Sequence, residues 1–258
     1  MSRFIDLNAD MGESAEALKS GRDEELMRHI TTVSVACGGH AGDDQTMRET
    51  LVLAKKLGVA VGAHPSYPDR ENFGRMELVI ELEELEISLR YQLERLRSIA
   101  AEVGVTIGHV KPHGALYHSA SKDPRIAQAI SNAARGLGDV ILVGQAGSMA
   151  LRHWEILGMR TAAEAFVDRV YERNGELRKR SLPGALLAGT EASVQQAASI
   201  ILNRQATAFS GERIELLAQT LCVHSDTPGS VEIAREVRRF LESSGVEIGS
   251  LQRLSSNS

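Results

Sequence analysis

The sequence is poor in cysteine and has no apolar run long enough to cross a membrane. Its two cysteines, Cys37 and Cys222, do not form a CxxC pair, which makes a reducing cytoplasmic setting the default expectation. No apolar stretch approaches the ~20 residues that span a bilayer. The first strand begins by Phe4, so we expect no signal peptide. These absences predict a soluble cytoplasmic protein.

Phosphate-binding and basic motifs are also missing. No GxxxxGK[ST] sequence occurs and no GxGxxG follows the first strand, so neither a P-loop nor a Rossmann cofactor site is indicated. The net charge is −5 and no block of Lys or Arg is present. Nucleic acids and anionic membranes are therefore not expected as partners.

The alternation of strand-like and helix-like segments predicts one α/β domain. A chain of 258 residues suits one α/β barrel or one large open sheet. About seven strands can be counted, which favours a distorted seven-stranded β/α barrel, with a doubly wound open sheet as the alternative. No linker divides the chain, so residues 1–258 are predicted to form a single domain with a frayed tail from about residue 251.

Polar clusters stand where the apolar runs end. The carboxyl ends of successive parallel strands meet on one face of a barrel, so residues distant in sequence become neighbours in one pocket. This pattern predicts an enzyme active site at that face. The five runs that end in this way are residues 4–10, 33–40, 59–64, 105–113 and 221–226.

The first run supplies two candidate side chains. Strand alternation places Asp6, Asn8 and Asp10 on one face, so Asn8 and Asp10 lie at the pocket mouth if that face points inward. A carboxylate there can hold a metal or act as a general base. The alternative is that Asp10 only caps a loop. Asn8 is assigned to substrate binding and Asp10 to catalysis.

Glycines surround His40. Three glycines within residues 38–42 let the backbone approach a ligand closely, which favours a catalytic His40. Asp43 on the same loop is either a substrate ligand or the N-cap of the next helix. His64 is held in an extended conformation by Pro65, and we expect it to bind substrate.

The fourth and last runs add a cation and further polar groups. Lys111 beside His113 offers a charge for a developing oxyanion and a group for proton transfer, so both are assigned to catalysis. The alternative is that Lys111 is an ordinary solvated lysine. His224 and Asp226 point the same way in an extended chain and are assigned to substrate binding.

Taken together, these motifs closely resemble those of the LamB/YcsF family, which comprises the A subunit of bacterial 5-oxoprolinase. The resemblance implies a seven-stranded β/α barrel of the glycoside hydrolase/deacetylase superfamily. The sequence differs from the family pattern at three positions: it has Gly39 where Phe is usual, Asp44 where Pro is usual and Ser225 where Gly is usual. These differences affect the expected fit of the substrate more than the expected fold. The matching segments, within about residues 4–245, are residues 6–13, 36–43, 62–70, 111–117, 164–169, 180–185 and 222–226.

The resemblance also implies a reaction, the ATP-dependent opening of 5-oxo-L-proline to L-glutamate with ATP and Mg²⁺ and with two partner subunits, B and C. Because the P-loop is missing, nucleotide contacts would come from the partners or from an unusual loop. Asp10 or a histidine would activate water, and Lys111 with His113 would stabilise the oxyanion. Arg169 would pair with the substrate carboxylate. Further substrate contacts would come from Tyr117, Glu164 and Asp168.

Other interpretations of the same residues stay open. Asp10, His40 and His64 could bind a divalent ion, as the wider superfamily suggests. The chain could then be a stand-alone metal-dependent deacetylase or amidohydrolase that acts on a sugar or an amide. It could also be a non-catalytic subunit that presents substrate to its partners. The oligomeric state is left open, and a homo-oligomer is compatible with the sequence.

Overall fold

A computed structural model describes residues 3–254 as an α/β barrel. Its strands are β1 (Arg3–Met11), β2 (Thr32–Ala36), β3 (Ala60–His64), β4 (Ile107–Val110), β5 (Ile141–Gln145), β6 (Arg160–Phe166), β7 (Gln205–Thr207), β8 (Arg213–Glu215), β9 (Thr220–Cys222) and β10 (Val246–Ile248). Parallel pairing runs from β1 to β6 in chain order, then to β9, and β9 pairs back with β1. The predicted seven-stranded barrel is confirmed, and the open sheet is excluded because this last pairing closes the ring.

Helices cover the outside of the barrel. They are α1 (Ala15–Lys19), α2 (Arg22–Met27), α3 (Asp44–Leu57), α4 (Leu82–Val103), α5 (Gly114–Ala120), α6 (Pro124–Ala134), α7 (Met149–Ile156), α8 (Gly189–Asn203), α9 (Ser230–Ser243) and α10 (Leu251–Leu254). Helix α3 is capped at its C-terminal end by Gly58, which adopts a left-handed φ of 69°. Helix α6 has Asp123 as its N-cap and Pro124 in its first turn.

Several short strands are not predicted by the hydrophobic pattern of the sequence. β7 and β8 form an antiparallel hairpin outside the barrel, and β10 pairs with the start of β1. Elements this short contain too few residues to show a period. The predicted frayed tail from about residue 251 is corrected in part, since Leu251 is buried at the start of α10. Residues 255–258 of that tail lie outside the described residues.

The apolar core lies between the strands and the surrounding helices. One apolar stripe of α4 is buried there and includes Leu85, Leu89 and Leu96. The indole of Trp154 is also buried and donates to the backbone oxygen of Ala127 at 2.8 Å. Among the helices of residues 3–254, none has the length and apolar character that a membrane crossing requires.

The interior of the barrel is polar. Asp6 is fully buried and accepts hydrogen bonds from the hydroxyls of Thr31, Thr32 and Thr220. Burial raises the pKa of Asp6 to about 6, although these hydrogen bonds oppose the shift. A buried carboxyl at the base of the strands therefore supports the polar layer above it.

Candidate active site

The carboxyl ends of the barrel strands bring the predicted side chains together. His64 ends β3, and Asp10 lies one residue before the end of β1. Lys111 directly follows β4, and His113 follows two residues later. His40 stands in the turn after β2. The convergence expected from the sequence is therefore present in the folded chain.

Three imidazoles and one carboxylate form the most compact group at this face, which we call the histidine cluster. It consists of Glu13, His40, His64 and His113, whose ligand atoms lie within 4.8 Å of one another. Glu13 Oε1 lies 3.0 Å from His40 Nε2 and 3.4 Å from His113 Nδ1. The rings of His40 and His113 stack with centroids 3.6 Å apart. The donor set suits a divalent metal such as zinc.

Two backbone carbonyls fix the tautomers in the histidine cluster. His64 Nδ1 donates to the oxygen of Lys111 at 2.6 Å, and His113 Nε2 donates to the oxygen of Phe73 at 2.9 Å. A carbonyl only accepts, so the remaining nitrogen of each neutral ring carries a lone pair. Those two nitrogens, His64 Nε2 and His113 Nδ1, lie 2.9 Å apart. A backbone carbonyl that orients a metal-binding imidazole is a common outer contact of metal sites.

Burial sets the protonation of the histidine cluster. It lowers the pKa of His40 to about 3 and that of His113 to about 4, and it lowers the pKa of His64 well below its ordinary value. Burial also raises the pKa of Glu13 to about 7. The imidazoles are therefore neutral at physiological pH, which is the form that binds a cation.

Lys111 occupies the centre of a second group beside the histidine cluster. Its Nζ lies 2.7 Å from Glu164 Oε1, 3.0 Å from Asp10 Oδ1 and 3.0 Å from Asn8 Oδ1. Burial alone would lower the pKa of Lys111, but the charges of Asp10 and Glu164 outweigh it and raise that pKa well above its ordinary value. Tyr117 completes the group by donating to Glu164 Oε2 at 2.9 Å. Lys111 is therefore a buried ammonium, and the alternative of a solvated lysine is wrong.

Asp10 joins this second group to the histidine cluster. Its Oδ2 lies 3.4 Å from His64 Nε2, while Oδ1 faces Lys111. Burial disfavours ionisation, but the Lys111 ammonium outweighs it and holds the pKa of Asp10 below its usual range. The compact ligand group thus differs from the predicted set of Asp10, His40 and His64. Glu13 and His113 enter it, and Asp10 is engaged by Lys111.

A third group comes from the ends of β6 and β9. His224 Nδ1 lies 2.8 Å from Asp168 Oδ1, and the hydroxyl of Thr227 donates to Asp168 Oδ2 at 2.5 Å. The ring of Phe166 stacks on His224 with centroids 5.2 Å apart. Burial opposes ionisation of Asp168, but His224 outweighs it and lowers the pKa of that carboxyl. An ionised Asp168 holds the Nδ1 proton, which leaves His224 Nε2 able to exchange a proton with a ligand.

Three predicted site residues are not brought into these groups. Asp43 is exposed and caps α3, accepting from the backbone nitrogen of Thr46 at 2.8 Å, which is the alternative that the sequence left open. Arg169 is buried and donates to the backbone oxygen of Arg178 at 2.6 Å, so its guanidinium is used within the fold. Asp226 is exposed at the mouth of the barrel.

Two departures from the family pattern have a local structural setting. A Cβ at Gly39 would lie 2.5 Å from both Gln92 Oε1 and Ser66 Oγ, so the space beside Gly39 is filled by the buried Gln92 of α4. Ser225 does not have a positive φ, so its position does not require the freedom of glycine.

Two residues of the site, Glu13 and Phe73, are not predicted from the sequence. Glu13 lies two residues beyond the end of β1 and would be out of phase with Asp10 if the strand continued, but Gly12 has a φ of 74°, and this turn brings Glu13 to the histidines. Phe73 has a φ of 55°, which is uncommon for a bulky residue. Its ring meets His40 edge-on at 5.2 Å. Gly12, a residue that permits a turn directly after the strand, is the signal in the sequence that could have pointed to Glu13.

A separate groove lies elsewhere on the described surface. It has a volume of about 680 Å³ and lies between α4 and α6, where Leu82 and Ile87 are exposed. It contains none of the three groups above. A cavity of about 100 Å³ lies at the barrel mouth and is lined by Glu13, Phe73 and Asp226 among others. Of the three groups above, the histidine cluster reaches this smaller cavity through Glu13.

A comparison with known families matches residues 5–256 to the model of the LamB/YcsF family. The chain belongs to the LamB/YcsF family. A curated relative from Tolumonas auensis, named as the A subunit of 5-oxoprolinase, is 41% identical over 95% of this chain and 98% of its own length. That name implies further subunits in the complex of the relative.

Solved structures agree with the fold. The lactam utilization protein from Thermus thermophilus superposes with a TM-score of 0.88 at 38% identity, covering 96% of this chain and 99% of its own. A family 4 carbohydrate esterase from Streptomyces lividans superposes with a TM-score of 0.51 at 12% identity, covering 96% and 93%. The second likeness shows a shared barrel fold and nothing about activity.

Proposed function

We propose that this chain is the A subunit of a 5-oxoprolinase, which opens 5-oxo-L-proline to L-glutamate in an ATP-dependent reaction together with partner subunits B and C. The observation that carries the proposal is the buried Lys111 ammonium, held by Asp10 and Glu164 beside the histidine cluster. This arrangement suits an amide whose carbonyl oxygen becomes negative during hydrolysis. The full-length relatives with this name support the same reaction.

Opening the lactam requires three steps around its carbonyl carbon. Water must lose a proton as its oxygen bonds to the carbonyl carbon, the oxyanion must be stabilised, and the ring nitrogen must gain a proton as the C–N bond breaks. The proton count balances, because one proton leaves water and one reaches nitrogen. The released nitrogen becomes the amino group of glutamate.

The chain offers a residue for each step. Asp10, kept ionised beside Lys111, orients and deprotonates water. The Lys111 ammonium stabilises the oxyanion, and the lone pair on His113 Nδ1 accepts a hydrogen bond from the attacking water at the edge of the histidine cluster. His224, held by Asp168, delivers the proton to the ring nitrogen through Nε2. Tyr117 and Asn8 keep Glu164 in place by donating to its two oxygens.

ATP is assigned to the partner subunits. The chain has no P-loop, so we propose that subunits B and C bind the nucleotide with Mg²⁺. Transfer of the γ-phosphoryl group of ATP to the amide oxygen, which leaves ADP, would make the lactam carbonyl more electrophilic. Ring opening by water would then give an acyl phosphate, and a second water would hydrolyse it to glutamate and inorganic phosphate. We place the reaction in the cytoplasm, where ATP is present and where the free thiols of Cys37 and Cys222 remain reduced.

The histidine cluster favours a second candidate function, metal-dependent hydrolysis of an amide or of an acetylated sugar. Glu13, His40, His64 and His113 fit a divalent ion by donor type and by the lone pairs that face each other. Such an ion would polarise a carbonyl or lower the pKa of bound water. In this alternative the chain acts without ATP and without partners.

Reconstitution separates the two functions. The chain is co-expressed with candidate B and C subunits, and release of glutamate from 5-oxoproline is measured with and without ATP and with and without this chain. The proposal expects turnover only when ATP and all three subunits are present. Hydrolysis by the chain alone that requires a divalent metal and not ATP would favour the second function.

A further inference from the structure

Three loops meet at the mouth of the barrel through one carboxylate. Asp226, in the loop after β9, accepts from Arg75 at 2.8 Å and from Arg180 at 2.8 Å and 3.3 Å. Arg75 belongs to the loop after β3, and Arg180 belongs to the long segment between β6 and α8. We call Arg75, Arg180 and Asp226 the arginine clasp.

The arginine clasp is adjacent to the histidine cluster. The guanidinium of Arg75 lies 5.0 Å from the centre of the Phe73 ring, and that ring lies edge-on to His113 at 5.4 Å. Glu13, Phe73 and Asp226 line the same cavity of about 100 Å³. Pockets for drug-sized ligands begin near ~300 Å³, so this cavity suits a compact molecule.

The charges of the arginine clasp do not balance. One carboxylate serves two guanidiniums, and within residues 3–254 neither Arg75 nor Arg180 makes another ion pair. The inner groups have the opposite excess, because Asp10 and Glu164 face the single ammonium of Lys111. An anionic ligand is therefore attracted at the mouth and repelled deeper in the barrel.

The ion pairs of the arginine clasp are expected to contribute little to the stability of the fold. The side chains of Arg75, Asp226 and Arg180 are 46%, 42% and 30% exposed. Exposed ion pairs contribute ~0–1 kcal/mol. Arginine is also the residue best suited to bind a carboxylate through two parallel hydrogen bonds.

We propose that Arg75 and Arg180 recognise the carboxylate of a small cyclic amide acid, and that Asp226 competes with that carboxylate for them. The inference rests on the proposed function and names the carboxylate-binding residues of the same site. It gives the substrate one orientation, with its carboxylate at the arginine clasp and its lactam amide toward Lys111 and the histidine cluster. It also replaces Arg169, whose guanidinium is used inside the fold.

Binding of two ligands to the full chain tests the proposal. The ligands are 5-oxoproline and 2-pyrrolidinone, which has the same ring without the carboxylate, and binding is measured by calorimetry. Arg75→Gln and Arg180→Gln should each raise the Kd of 5-oxoproline about ten- to a hundredfold, because each removes a charged hydrogen bond. Asp226→Asn should lower that Kd, because it removes the competitor. The binding of 2-pyrrolidinone should be equally weak in all variants.

Two control variants complete the test. Arg173→Gln removes an exposed arginine of the same long segment that pairs with Glu212, and it should leave both ligands unaffected. Arg22→Gln removes an arginine that lines the cavity but is not part of the arginine clasp. Loss of 5-oxoproline affinity in Arg22→Gln but not in Arg180→Gln would overturn the proposal.

Further outcomes separate this inference from the proposed function. If Asp226→Asn weakens binding as much as Arg180→Gln, the arginine clasp is structural and the inference is wrong. An unchanged Kd in both arginine variants, or no binding of 5-oxoproline to the wild-type chain, overturns it too. Arginine-dependent binding without turnover by the reconstituted three-subunit complex would keep the carboxylate site and reject the proposed reaction.

Discussion

His113 Nδ1 lies 2.9 Å from His64 Nε2, and both nitrogens carry lone pairs because the far nitrogen of each ring donates to a backbone carbonyl. Two acceptors at this distance repel each other unless a cation lies between or beside them. Glu13 Oε1 stands 3.4 Å from the same His113 nitrogen. The arrangement is therefore suited to a positive charge, either a metal ion or a shared proton.

The first prediction concerns a metal ion in the histidine cluster. We expect the wild-type chain to bind one Zn²⁺ or Mn²⁺ and His113→Gln to raise the Kd at least ~10-fold, because a ligand is removed. Calorimetric titration of the metal-free chain measures this. His153→Gln, on α7 and outside the cluster, should bind as the wild type does. Equal affinity in wild type and His113→Gln would count against a metal site here.

The second prediction concerns the buried ammonium. Lys111→Met should lower the free energy of unfolding by ~3–5 kcal/mol, because Asp10 and Glu164 are left buried without their cation. Urea denaturation at neutral pH measures the change. The matched control is Lys122→Met, whose exposed ion pair with Glu176 should contribute less than ~1 kcal/mol. A small effect at Lys111 would contradict the network described above.

The third prediction concerns pH. The pKa of Asp6 is raised from 3.8 to about 6 in the folded chain, so the folded state holds the proton more tightly than the unfolded state. Stability from this group is complete below its unfolded pKa and is lost as the pH rises through about 6. Asp6→Asn should remove this loss, which amounts to about 3 kcal/mol. Urea unfolding across this range measures the difference between the two proteins, and parallel pH profiles would contradict it.

The fourth prediction concerns the proton given to the ring nitrogen. His224→Gln should lower kcat of the three-subunit complex by ~10²–10⁴-fold with little change in KM, because it removes a general acid. Asp168→Asn should lower kcat as well and should change the pH profile, since it alters the hydrogen bond that fixes the His224 tautomer. His118→Gln, on the exposed side of α5, is the control. If His224→Gln changes KM and leaves kcat unchanged, His224 binds substrate and is not the general acid.

The sequence was sufficient for the barrel and for most of the histidine cluster. Strand ends must meet on one face of a barrel, so the convergence of His40, His64, Lys111 and His113 followed from the order of the elements. Glu13 could not be placed in this way. Strand alternation continued from Asp10 would direct it to the other face, and only the positive φ of Gly12 reverses that direction.

Asp43 and Arg169 show a second limit of sequence reasoning. A carboxylate after a glycine-rich loop can bind a ligand or cap a helix, and the sequence pattern is the same in both cases. A guanidinium can meet a substrate or a backbone carbonyl, and the choice depends on loops that show no period. The arginine clasp depends on three such loops, which is why its members are evident only in the folded chain.

In the proposed reaction, Lys111 and His113 act in one reaction centre for lactam opening. The most direct test of this proposal is ATP-coupled glutamate release by the three-subunit complex that contains either Lys111→Ala or His113→Ala, with assembly checked by gel filtration. We expect each variant to assemble and to lose at least ~10²-fold in kcat. Wild-type turnover in assembled complexes of both variants would contradict the account.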